Sequence, residues 1–207
     1  MAETPDSPAM KRPGQWIAGG ALVAIFAVVL LMWIEGTRIT PVPADPTSVE
    51  AGVSCQVVAD AARTPMVRCV TLVDAPPERV WQTVTDYDHF PQLFSAIRSF
   101  HVNHDPDGRF HLTYLVSTLA GRWPVDVHVR HTESPERFVA AWDEPSGRMT
   151  VNRGSWTVTP AAQGRALLTY TLDMEISRTP TFLVRDLLLA SEGTVVRAVA
   201  AAARGSR

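Results

Sequence analysis

Residues 74–97 read DAPPERVWQTVTDYDHFPQLFSAI, and the parsing of this stretch decides the fold. Asp86, Asp88 and His89 crowd around a tyrosine just before Pro91. Two carboxylates and an imidazole so placed are either an acid–base site or the point where one short helix stops and another begins. The surrounding residues favour the junction. Val80, Trp81 and Val84 recur at offsets that share one helix face. Asp74, ahead of Pro76 and Pro77, is positioned to cap that helix. Asp86 then ends it, and Asp88 caps a second short helix, HFPQLFS. His89, beside Phe90 and Pro91, is a partly exposed side chain rather than a general base.

Working outward, SCQVVA and MVRCVTLV read as strands joined by the turn DAARTP. The two cysteines of the chain, Cys55 and Cys69, are about equally far from that turn and can face each other across a hairpin. In an oxidising compartment such a pair is expected to be a disulfide, with two buried thiols as the alternative. Downstream, RSFHVNH and RFHLTYLVSTL flank the turn DPDG. RWPVDVHVRHT alternates, with Val125, Val127 and Val129 on one face and Asp126, His128 and Arg130 on the other. RFVAAWDE keeps Phe138, Ala140 and Trp142 in phase. MTVNRGSWTVTP and RALLTYTLDMEIS follow, the latter with Leu168, Tyr170, Leu172, Met174 and Ile176 opposite Thr169, Thr171, Asp173 and Glu175. This alternation describes a sheet with one buried face and one wet face. After Thr179 as cap and Pro180 as first residue, the chain ends in a long helix. Its expected apolar stripe is Val184, Leu188, Ser191, Val195, Ala198 and Ala202. One strand, a helical excursion, antiparallel strands in series and a terminal helix make an α+β order.

Residues 16–34, WIAGGALVAIFAVVLLMWI, carry no charge and are long enough to cross a bilayer, for which roughly 20 apolar residues suffice. Trp16 and Trp33 sit at its ends, where indole rings favour the headgroup region. Lys11 and Arg12 precede it, which orients the N-terminus to the cytoplasm. The run exceeds a signal peptide's apolar core, and no small-residue cleavage pattern follows. The expected organisation is a cytoplasmic tail (1–14), a transmembrane anchor (15–35), a proline-rich linker (36–50) and an extracytoplasmic domain (51–207).

The residues VDAPPERVWQTVTDYDHFPQLFSAI, the later RGSWTVTP with ALLTYTLDME, and the terminal helix resemble the START-like superfamily, also called SRPBCC or birch-pollen-allergen-like. Within it, the likeness is to the polyketide cyclase/dehydrase and coenzyme Q-binding group. The resemblance spans residues 66–203. It implies a helix-grip fold, in which a curved antiparallel sheet wraps the terminal helix and leaves a cavity for an apolar small molecule or lipid. Such a cavity would be lined by Tyr170, Trp142 and Tyr114 from the sheet, Leu188 from the helix and Phe94 from the helical junction. No cofactor is implied.

Chemistry-bearing motifs are sparse. A net charge of -2 and a pI near 6.3 give no electrostatic reason for a nucleic-acid partner. No G-x-S-x-G, phosphate loop or H-E-x-x-H occurs. The six histidines all lie between His89 and His131, yet His101 and His104 point to opposite faces of a strand, as do His128 and His131. His111 can neighbour His128, but on the polar face, so a solvated sheet surface is expected rather than a metal site. Three functions fit: a membrane-anchored binding module, a cyclase/dehydratase-type enzyme using Arg153 or Glu192, or an interaction domain with a collapsed cavity.

Overall fold

Eight strands and one long helix carry nearly all of the described chain. The structure, a computed structural model, describes residues 52–59, 65–118 and 121–205. The expected transmembrane run and linker lie outside the described residues. Among the described residues, no helix is long and apolar enough to cross a membrane. The elements are β1 (Ser54–Ala59), β2 (Pro65–Val73), α1 (Pro77–Thr85), α2 (Phe90–Leu93), β3 (Ile97–His104), β4 (Phe110–Thr118), β5 (Gly121–Ser134), β6 (Arg137–Asp143), β7 (Met149–Pro160), β8 (Ala166–Ile176) and α3 (Thr181–Gly205). The strands form one curved antiparallel sheet in the order β1-β2-β8-β7-β6-β5-β4-β3. Helix α3 packs against β2, β8 and β1. Val158 and Leu168, register partners on β7 and β8, are fully buried in the core.

The opening stretch is a junction, but its caps differ from those expected. Pro76, not Asp74, is the N-cap of α1, and its carbonyl accepts from Arg79 and Val80. Asp86 does end α1. Asp88 sits inside a 3₁₀ turn, Tyr87–His89, and His89 precedes α2 without a side-chain cap. Proline pre-sets the first helical turn and lacks the N–H a cap would serve, which makes an aspartate cap dispensable. The exposed His89 binds Asp86 at 2.7 Å.

Two further expectations shift. The carbonyl of Pro180 accepts from Leu183 and Val184, so α3 begins one residue late. Its buried stripe starts as expected at Val184 and Leu188. It then runs through Glu192, Gly193, Val196, Val199, Ala200 and Ala203 rather than Ser191, Val195, Ala198 and Ala202. Gly193 explains the phase: a Cβ there would lie 3.3 Å from Cys55 Sγ, so the helix closes on the β1–β2 hairpin at this glycine. Asp173, expected on a wet face, is buried, and Arg153 Nε donates to its Oδ2 at 2.9 Å.

The sheet curls because β5 changes partners. Its residues Gly121–Val129 pair with β4, whereas Arg130–Ser134 pair with β6. Where β6 is missing, side chains substitute for its carbonyls. The Asp126 amide donates to Ser146 Oγ at 2.7 Å and the His128 amide to Glu144 Oε2 at 3.1 Å. Unpaired amides in a half-buried strand would otherwise be costly.

Cys55 and Cys69 face each other in the β1–β2 register and form a disulfide, with Cα atoms 4.1 Å apart. Closing a loop of 14 residues' separation restricts the unfolded chain by about 3 kcal/mol. Urea unfolding with and without reductant is expected to show a loss of that order, and Cys55→Ser should abolish the difference.

Candidate ligand cavity

The inward positions of the curled strands do not fill the space beneath α3. They leave a cavity of about 230 Å³. Leu112, Tyr114 and Val116 from β4 and Val125, Val127 and Val129 from β5 make one wall, since period-two alternation sends each of these residues to the same side. Trp156, Tyr170, Leu172 and Met174 make the other, and Glu192 and Val195 come from α3. Tyr87, Phe90 and Phe94 from the helical junction reach the same space.

Rings shape this wall. Trp156 and Tyr170 lie 4.3 Å apart, centroid to centroid, and Trp142 stands 6.2 Å from Tyr170. Trp142 crosses its neighbour strand at Gly154, its register partner. Any Cβ at Gly154 would meet that indole and come within 2.6 Å of the Thr171 carbonyl oxygen. Phe100 stacks on Tyr114, and Phe90 on Phe94 edge to face.

Two polar groups break the apolar lining. Asn152 accepts a hydrogen bond from Trp142 Nε1 at 3.3 Å through its Oδ1, while its buried Nδ2 finds no partner among the described residues. Glu192 is 8% exposed and accepts from Ser191 Oγ at 3.2 Å. Burial pushes its carboxyl from the usual 4.5 up to about 7, the Ser191 hydrogen bond opposing. Burial likewise raises the phenols of Tyr114 and Tyr170, and the nearby Glu192 adds to both shifts. Beside the junction, Tyr87 Oη lies 2.6 Å from His131 Nε2, and burial lowers that imidazole's pKa.

Of the residues expected at a ligand site, Phe94, Tyr114, Trp142 and Tyr170 line the cavity together. Leu188 is buried one turn before Glu192 and belongs to the packed core, not the cavity wall. Glu192 faces the cavity, whereas Arg153 lies on the outer face with Asp173. Asn152, absent from the expected set, faces inward in the same alternation as Trp156 and Val158, and a register shift between Met149 and Val151 brings Met149 to that side as well. The cavity is open, so the collapsed-cavity alternative has no support here.

The family model described as "Polyketide cyclase / dehydrase and lipid transport" matches residues 64–205. Solved structures with this fold include a STAR-related lipid transfer protein fragment from Xanthomonas axonopodis, with 14% identity, 74% of this chain and 94% of that one covered, and a TM-score of 0.62. Human STARD10 aligns at 12% identity over 82% of this chain and 83% of its own, with a TM-score of 0.64. The Zhui aromatase/cyclase of a Streptomyces species aligns at 17% identity over 67% and 93%, with a TM-score of 0.51. No curated protein matches the chain in sequence.

The raised carboxyl of Glu192 has a stability consequence of definite sign. The folded chain keeps this proton up to about 7 and the unfolded chain releases it near 4.5, so the contribution is complete at low pH and lost as pH rises through the window. At 1.4 kcal/mol per unit the loss is roughly 3 kcal/mol. Urea unfolding from pH 4.5 to 8 is expected to show Glu192→Gln gaining that much on the wild type. Parallel pH profiles would mean the carboxyl is not held protonated.

Proposed function

The chain belongs to the polyketide cyclase/dehydrase and lipid transport family, and from that premise we propose that it is a binding module holding an apolar small molecule or lipid between sheet and helix. The observation that carries this is the cavity: an apolar and aromatic wall broken by Asn152 and Glu192. Such a lining takes a ligand that is apolar over most of its surface and polar at one end. Asn152 Nδ2 calls for an acceptor, such as a carbonyl or hydroxyl oxygen, because a buried donor without a partner costs about 1–3 kcal/mol.

A second reading, an enzyme of the cyclase/dehydratase kind, rests on Glu192. A carboxyl titrating near 7 inside a water-poor cavity suits general acid–base catalysis. Arg153 does not join it, since it is engaged by Asp173 outside the cavity. Glu192→Gln separates the readings: a binding module keeps ligand affinity within a few-fold, whereas an enzyme loses turnover while retaining the ligand.

Placement at a membrane is part of the proposal. It is supported by the apolar run 16–34, the basic Lys11 and Arg12 before it, and a disulfide of the kind that persists in oxidising compartments. Protease added to right-side-out membrane vesicles is expected to digest the domain; full protection would place it on the cytoplasmic side.

Native mass spectrometry of the purified chain, alone and with a lipid extract, tests the binding itself. An apolar adduct is expected, and Val127→Phe, which pushes a ring into the cavity, should weaken its retention at least tenfold. Absence of any adduct in both samples would sink the proposal.

A further inference from the structure

On the face of the sheet opposite the cavity, Asp105, His111 and His128 converge. Asp105 opens the turn between β3 and β4, and His111 and His128 are register partners on β4 and β5. Their imidazoles stack with centroids 4.4 Å apart and planes 13° from parallel. One nitrogen of each ring and one Asp105 oxygen lie within 4.8 Å of one another. His128 Nε2 and Asp105 Oδ2 are 3.4 Å apart.

Carboxylates fix the orientation of both rings. Glu144 Oε2 lies 2.7 Å from His128 Nδ1 and also accepts the His128 amide, so this imidazole is gripped at backbone and side chain by one carboxylate. Asp126 Oδ1 lies 2.7 Å from His111 Nε2. A carboxylate on one ring nitrogen places the proton there and leaves the other nitrogen a lone-pair donor, the arrangement by which metal-binding histidines are oriented. With its Nδ1 turned to Glu144, His128 presents Nε2 to the Asp105 carboxylate, on the side where His111 also lies. Arg109 borders the cluster: its Nε pairs with Asp107 at 2.7 Å, and its Nη atoms make longer ion pairs, 3.6 Å to Glu144 and 3.9 Å to Asp105.

We infer that Asp105, His111 and His128 form a binding site for a divalent transition-metal ion of the zinc type, with Glu144 and Asp126 as positioning residues. Two imidazole nitrogens with one carboxylate suit zinc-type ions and not calcium or magnesium, which prefer all-oxygen shells. Metal–ligand bonds of about 2.0–2.1 Å hold ligand atoms roughly 3.3 Å apart. The Asp105–His128 pair already has that spacing, and His111 closes by rotation about its side chain. The ion would fasten the β3–β4 turn to β5. Because β3 is the edge strand, that hairpin is otherwise held on one side alone.

Zinc titrated calorimetrically into the full chain, purified without a histidine tag, tests the site. Binding of one ion per chain is expected. His111→Ala, His128→Ala and Asp105→Asn should each weaken it at least tenfold, and Glu144→Gln about tenfold. His101→Ala, exposed on β3, should leave it unchanged. Cobalt in place of zinc should give the visible absorption of a low-coordinate site, lost in His128→Ala. Failure to saturate at millimolar zinc, or unaltered affinity in the His111→Ala/His128→Ala double variant, would overturn the inference.

Discussion

Strand β5 cannot pair along its whole length with both neighbours, and most of the architecture follows from that constraint. Its first part pairs with β4 and its last part with β6. Where β6 does not reach, Ser146 and Glu144 take up the amides left behind. The inward valines of β5 and the α3 residues Glu192 and Val195 line the same space, a cavity rather than a packed seam. The same substitution places Glu144 against His128 on the opposite face. One pairing defect thus shapes both faces of the sheet.

Within the cavity, the physics is that of a few polar groups in a poor solvent for charge. Glu192 reaches it from the turn of α3 that lies against the disulfide-bearing hairpin at Gly193. Once buried, the carboxyl prefers its proton, and the phenols of Tyr114 and Tyr170 are pushed further from ionising by its charge. Asn152 completes the polar set from the same inward phase of β7 as Trp156 and Val158. These two groups mark where a mostly apolar ligand would carry its polar end.

The helical junction was legible because its signals are local. Val80, Trp81 and Val84 at helical spacing, two prolines at the start and Asp86 at the end leave little freedom, although proline took the capping role expected of aspartate. The strands were equally legible, as alternation is a property of neighbours in the chain. Cys55 opposite Cys69 followed from their even distance to a turn. The rotation of α3 was not legible past Leu188. Several apolar stripes fit the alanine-rich segment, and a close contact at Gly193 chose among them.

What the sequence determined by itself is the order and type of elements, the hairpin that pairs its cysteines, and the aromatic residues that face inward. All of these depend on short-range periodicity and on turn chemistry. What only the tertiary structure decided is which polar residues are buried. Asn152, Glu192 and Asp173 are buried, which apolar periodicity alone does not specify, whereas His111 and His128 are half-buried on the outer face. Their environments come from neighbouring strands, a glycine contact and a change of strand partner, each of which depends on residues far away in the chain.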